Sequence, residues 1–236
     1  MKNILTIGDR QFRSYFNGPV AYIVISIILL MLGFFFWHTF FLYGLASNRE
    51  MFVWLGRILV FWLPPLTMGL LAEEKRTGTI ELLITMPVTE AQVIVGKFVG
   101  VLALYVVLLL LTLPYPLSVS TLGNLDWGPV WGGYLGLLLQ GSAILAIGLM
   151  ASSWTSNQLI ALFVALTLSG FFWVLDKMLA LLPTSAASAL QWLAFDYHFQ
   201  NMARGVIDLR DVLFFVSVTV FALAVAFRAL ESRRWS

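Results

Sequence analysis

Six apolar runs of membrane-spanning length divide this chain, and they leave few folds open to it. They cover residues 22–41, 52–71, 93–117, 130–152, 159–182 and 212–227. A helix needs roughly 20 apolar residues to cross a hydrocarbon layer about 30 Å thick. Inside lipid the backbone must satisfy its own hydrogen bonds, so each run is read as a helix. The last run is short unless its ends snorkel. Composition agrees, with 60% of the 236 residues hydrophobic and 11% charged, where soluble domains carry about 25% charged residues. The expectation is an all-α membrane protein in which residues 1–236 form one six-span domain.

Several chemistries are excluded at once. There is no cysteine, which removes disulfides, thiolate metal sites and cysteine nucleophiles. A formal charge of +2 gives no nucleic-acid footprint. The first run continues to Tyr43, too long for a signal-peptide core of about 7–15 residues, and no small-residue cleavage site ends it. It is read as a retained first span.

Lys and Arg in the flanks set an orientation. With the N-terminus inside, Lys2, Arg10, Arg13, Lys75, Arg76, Lys97, Arg228, Arg233 and Arg234 are cytoplasmic. Arg49, Arg57, Lys177, Arg204 and Arg210 lie on the other side. That bias favours cytoplasmic N- and C-termini, consistent with an even number of spans. Residues 1–18 interleave Ile4, Leu5, Ile7, Phe12, Tyr15 and Phe16 with charges. This pattern suits a helix in the headgroup plane, or else a frayed basic tail. Gly18-Pro19 turns the chain into the bilayer.

Within the bilayer, small residues recur at helix-packing intervals: Gly96 with Gly100, Gly132 with Gly136 and Gln140, Ala161 with Ala165 and Ser169. They let backbones approach without saying which helices meet. Pro64-Pro65 must kink span two. Gln140 is expected to hydrogen-bond between helices. Arg57, Asp176 and Lys177 are the bilayer charges, with a substrate role or snorkelling as alternatives. Asp176 and Lys177 are adjacent and should not face each other. His38 and His198 read as interfacial rather than metal-binding. Residues 183–211 should form short outer helices, with Asp208 and Asp211 offsetting Arg204 and Arg210 at the surface. Few polar groups lie at mid-depth, which fits a lipid-like or amphipathic cargo better than an ion.

The longest charged interval, residues 73–92, lies between spans two and three. Thr79 can cap a helix over Ile80 to Met86, with Glu81 in its first turn. Ile80, Leu83 and Ile84 share one face, and Pro87 stops the helix. Thr89-Glu90-Ala91-Gln92 then reads as a capping box that starts span three. A two-turn helix is unstable alone, so it docks on its own bundle, docks in a partner's groove or packs on lipid. No phosphate loop exists, because Gly96-Lys97 is followed by Phe98. No HExxH, GxSxG or SxxK pattern is present. The chain reads as a non-enzyme.

The run Glu73-Glu74-Lys75-Arg76-Thr77-Gly78-Thr79-Ile80-Glu81-Leu82-Leu83, then Met86-Pro87-Val88-Thr89 and Gly96-Lys97, resembles the signature of ABC-2-type permeases, the membrane subunits of type-V-fold exporters. The likeness covers essentially the whole chain. Tyr197-His198-Phe199, Arg204 to Asp208, Asp211-Val212 and Glu231 to Trp235 resemble the gliding-motility-associated branch. The resemblance implies a coupling helix that docks on a separate ATPase dimer, which holds ATP and magnesium. Carried over, Glu73, Glu74, Arg76, Gly78, Thr79, Glu81, Leu82, Leu83 and Pro87 form that element. The acids and Arg76 would pair with the ATPase, and the face of Ile80, Leu83 and Ile84 would anchor it. It also implies a second permease subunit, a path lined by spans one, two and five, and a place in a bacterial inner membrane among lipids. A rival reading is a mechanotransmission subunit that moves an auxiliary protein with an extracytoplasmic domain.

Overall fold

A computed structural model describes residues 2–43, 48–79, 88–179, 181, 183, 188 and 190–232. Helix α1 is Lys2–Asn17, α2 is Val20–Tyr43, α3 is Arg49–Trp62, α4 is Pro64–Thr67 and α5 is Ala72–Arg76. Then come α6 (Glu90–Leu111), α7 (Pro114–Leu122), α8 (Trp127–Trp154) and α9 (Gln158–Leu179). A 3-10 turn at Gln191–Leu193 precedes α10 (Phe195–Ala203) and α11 (Leu209–Glu231). The described residues contain helices and no strand. Six candidate spans result: α2, α3 to α5, α6 to α7, α8, α9 and α11. The expected helix at Thr79–Met86, with Ile80, Glu81, Leu82, Leu83, Ile84 and Pro87, lies outside the described residues except for Thr79.

Span α8 is the centre of the bundle and packs on α11, α9, α10, α3 and α6. Its small residues permit this. A Cβ on Gly132 would stand 2.3 Å from the Met202 carbonyl of α10, which only glycine tolerates. Gly136 lies under Phe199 and Met202 of the same helix. Ala161, Ala165 and Ser169 are, with Leu175, the buried positions of α9, which packs on α8. Spans two, three and four hold most of the buried surface, whereas α2, α9 and α11 keep broad apolar faces outward.

Helix α1 is seated on span three. The Gly96–Gly100 pair receives it: a Cβ on Gly100 would lie 2.6 Å from Gln11 Cβ and 2.7 Å from the Gly8 carbonyl. Span three begins where its cap predicts. Thr89 Oγ1 accepts from Gln92 N, and Gln92 Oε1 accepts from Thr89 N, both at 3.3 Å. Span six runs longer than its apolar core, because Asp208 caps it through Arg210 N at 2.9 Å.

Three sequence expectations change. Asp211 does not offset Arg210 at the surface; it is buried and holds His198 Nδ1 at 2.7 Å and Asn201 Nδ2 at 3.1 Å. His198 Nε2 meets the Trp192 carbonyl at 3.0 Å, so this network fastens the 3-10 turn and α10 to α11. Lys177 does reach its neighbour Asp176, at 2.9 Å, and Asp196 at 3.0 Å; its long stem curls back at the exposed helix end. Gln140 is buried against Gly56, but neither of its amide atoms has a hydrogen-bond partner among the described residues.

Candidate functional site

The charged interval begins in α5, and α5 hangs from a broken helix. Pro64 and Pro65 have no N–H to give to the carbonyls four residues back, so α3 ends at Trp62 and only one turn of α4 follows. The helix then opens between Thr67 and Ala72. Leu70 N turns to the Thr67 carbonyl at 3.1 Å. Every freed group must find another partner in an apolar medium.

Three other helices supply those partners. Tyr15 of α1 donates its hydroxyl to the Leu66 carbonyl at 2.6 Å. Burial holds this phenol well above its usual range, so it stays a donor. Ser152 of α8 accepts from Leu71 N at 3.0 Å and Ala72 N at 2.9 Å, and donates to the Met68 carbonyl at 2.9 Å. Lys97 of α6, only 4% exposed, donates to the Leu70 carbonyl and to Glu74 Oε1, each at 2.7 Å. The break is therefore sewn to α1, span four and span three at alternate carbonyls, those of Leu66, Met68 and Leu70.

Helix α5 itself is held at its sides. Lys75 donates to the Ser153 carbonyl, and Gln158, at the start of α9, donates to Glu73 Oε2. Glu73 also pairs with Arg76 at 2.6 Å. The helix closes at Gly78, whose φ of 72° is the left-handed cap that glycine adopts without strain. Thr77 Oγ1 returns to the Glu73 carbonyl at 3.0 Å and meets Thr79 Oγ1 at 2.9 Å. A cavity of about 320 Å³ opens beside the break, lined by Gln11, Tyr15, Glu74, Lys97 and Gln158 among others.

Of the expected site residues, Glu73, Glu74, Arg76, Gly78 and Thr79 come together here, and the rest fall outside the described residues. Glu73 and Glu74 are engaged within the chain, while Arg76 leaves 64% of its side chain exposed. Sequence reasoning missed Tyr15, Lys97, Ser152 and Gln158. A lysine and a serine inside apolar runs were the available signals. The arrangement provides ion pairs and backbone bonds. No group of three or more His, Cys, Asp or Glu able to hold a metal occurs among the described residues.

This geometry defines a polytopic helical membrane subunit with a charged element suspended at one end. The profile of the family described as ABC-2 family transporter protein matches residues 55–227, from inside α3 to near the end of α11. The chain belongs to that family: it is a transmembrane permease subunit, of a kind that lacks ATPase motifs and pairs with an ABC ATPase. No curated protein matches the chain.

Proposed function

We propose that this permease exports a lipid-like or amphipathic substrate, driven through residues 73–87 by a dimeric ATPase that carries ATP and magnesium. Two permease subunits face one another, with both termini cytoplasmic and the assembly in a bacterial inner membrane. The likeness of Tyr197-His198-Phe199, Arg204 to Asp208, Asp211-Val212 and Glu231 to Trp235 to the gliding-motility branch belongs to this proposal. One observation carries it. Helix α5 is bonded to Lys97, Ser152 and Gln158, so a push on the adjoining segment reaches spans three, four and five together. Ile80, Leu83 and Ile84 supply the apolar docking face, and Glu81, Arg76 and Leu82 its rim.

The test is the paired substitution Glu81→Ala with Leu83→Ala. Pull-down of the ATPase and stimulation of its ATP hydrolysis should fall at least about tenfold, while the permease still purifies as a folded membrane protein. Unchanged pull-down and stimulation would overturn the coupling role. A second reading, transmission of motion to an extracytoplasmic partner, draws support from α10. Its Phe195, Phe199 and Met202 are buried in the bundle, and His198 ties it to α11. ATP-driven movement of a defined cargo across reconstituted vesicles would rule this out.

A further inference from the structure

His198 is a titratable side chain sealed inside a joint. It sits on α10 and is 1% exposed, at the end of the bundle away from α5. Both of its ring nitrogens face oxygens. Nδ1 lies 2.7 Å from Asp211 Oδ1 of α11, and Nε2 lies 3.0 Å from the Trp192 carbonyl in the 3-10 turn. The other oxygen of Asp211 accepts from Asn201 Nδ2 at 3.1 Å. A neutral imidazole has one N–H and one lone pair. Beside an ionised carboxylate and a carbonyl it can serve one oxygen only, and it turns its lone pair on the other.

The joint as folded therefore needs two protons on the His198–Asp211 pair, one between Nδ1 and the carboxylate and one on Nε2. Phe214 lies parallel to the ring at 4.1 Å, a face that favours a cation. The elements packed on α10 carry other titratable groups. Helix α8 brings Tyr134, α9 brings Asp176 and Lys177, α3 brings Arg49, Glu50 and Arg57, and α11 brings Arg210 beside Asp211. On α10 itself are Asp196, Tyr197 and Arg204. Lys177 pairs with Asp176 and Asp196. Among the described residues, Asp211 is the ionisable group in hydrogen-bond contact with the ring. Removing one proton from the pair has a definite outcome. The proton shared with the carboxylate is held by a charge-assisted bond, so Nε2 gives up the other to solvent. Two lone pairs then face each other at the Trp192 carbonyl, and that contact is lost.

We infer that His198 and Asp211 form a proton-operated latch on the short helices between spans five and six. With two protons the pair fastens the turn at Gln191–Leu193 to α10 and α11. As pH rises and Nε2 loses its proton, the turn lifts while α10 stays tied to α11 through Nδ1. The latch is closed on the acid side and open on the alkaline side. It makes the placement of these elements depend on proton concentration, and it needs neither cargo nor ATPase, so it goes beyond the permease reading and is tested apart from it.

The chain has two histidines and no cysteine, so two probes report on single positions. His38 is exposed, and in His38→Gln the ring spectrum of the ¹⁵N-histidine-labelled chain in lipid nanodiscs comes from His198 alone. Across about pH 5 to 9, a range that brackets ordinary histidine titration, Nε2 should pass from protonated to bare while Nδ1 keeps its proton. A nitroxide on Leu193→Cys, a half-exposed position of the turn, should be immobile at the acid end, and its mobile fraction should rise at least about threefold along the same curve. His198→Gln should abolish the pH response. Asp211→Asn, which removes the counter-charge, should move the midpoint to lower pH, a readout that a merely structural contact would not shift. Thermal unfolding reports whether these variants fold; should neither fold, the ring spectrum of His38→Gln decides. An Nε2 bare at the acid end or protonated at the alkaline end would overturn the latch. So would a label whose mobility ignores pH, a response that persists in His198→Gln, or an unmoved midpoint in Asp211→Asn.

Discussion

Lys97 shows how a single residue can decide whether a broken helix is tolerated. Its ammonium bonds the Leu70 carbonyl and Glu74 at once, so it answers both a backbone orphan and a carboxylate. Removing one partner of a buried pair strands the other, at about 3–5 kcal/mol where both are sequestered. Glu74 keeps 28% of its side chain exposed, which places Lys97→Met near the low end, about 3 kcal/mol. The expected result is a clearly lower unfolding temperature in detergent. Adding Glu74→Leu should recover most of the loss, since the stranded charge is gone; a double variant no better than the single would show that the carboxylate is not what Lys97 stabilises. The sequence displayed Lys97 plainly, and flank counting assigned it to the membrane surface. A lysine after Gly96 looks the same whether it snorkels to water or turns inward, because the choice depends on the Leu70 carbonyl, freed 27 residues away. Gln140 failed in the opposite direction. Its depth was legible, but its expected partner was not, since an amide finds a bond only where a neighbouring helix offers one, and Gly56 offers no side chain.

Among the elements, the spans were the easiest to read and their joints the hardest. Apolar length fixes how many helices cross, so all six runs reappear as spans. Span two, one run in sequence, is three helices in the fold. Pro64-Pro65 announced a kink, but the second opening at 68–71 has no local marker beyond Gly69 and exists because Ser152 and Lys97 compete for its groups. Helix α1 was expected from its amphipathic pattern, yet the pattern did not say that it lies on span three. The Gly96–Gly100 pair decides that, and a larger residue there tests it. Gly100→Leu places atoms where Gln11 Cβ and the Gly8 carbonyl already stand, so α1 should lift while α6 persists. The chain has no cysteine of its own, so the pair Asn3→Cys with Gln92→Cys, whose native side chains meet at 3.3 Å across α1 and α6, reports the contact through a short bifunctional crosslinker. Crosslinking should fall several-fold when Gly100→Leu is added. An undiminished yield would mean that α1 stays seated by other contacts.

For the whole molecule, burial divides the spans into a frame and a rim. Spans two, three and four are buried over 67%, 61% and 78% of their apolar windows, against 28%, 22% and 17% for one, five and six. The proposed pairing with a second permease would call for a rigid middle and outward faces free to meet lipid or a partner, and this distribution fits both. Among the described residues, the hydrogen bonds of α5 run to the frame through Lys97, Ser152 and Ser153, and to the rim through Gln158. Whether span five moves with α5 or slides past it therefore turns on the Glu73–Gln158 contact, which a covalent bridge can lock. The pair Glu73→Cys with Gln158→Cys replaces two side chains already in hydrogen-bond contact, and a bifunctional methanethiosulfonate about as long as the two lost side chains joins α5 to the start of α9 through disulfides that a reductant opens. If α5 and span five move as one body during the ATPase cycle, the crosslinked complex should hydrolyse ATP and move cargo within about twofold of its reduced form. Crosslinked and reduced states share both substitutions, so the lost Glu73 carboxylate cancels in the comparison. A block of tenfold or more that a reductant reverses would show instead that α5 parts from span five in each cycle, and would confine the coupled body to the frame.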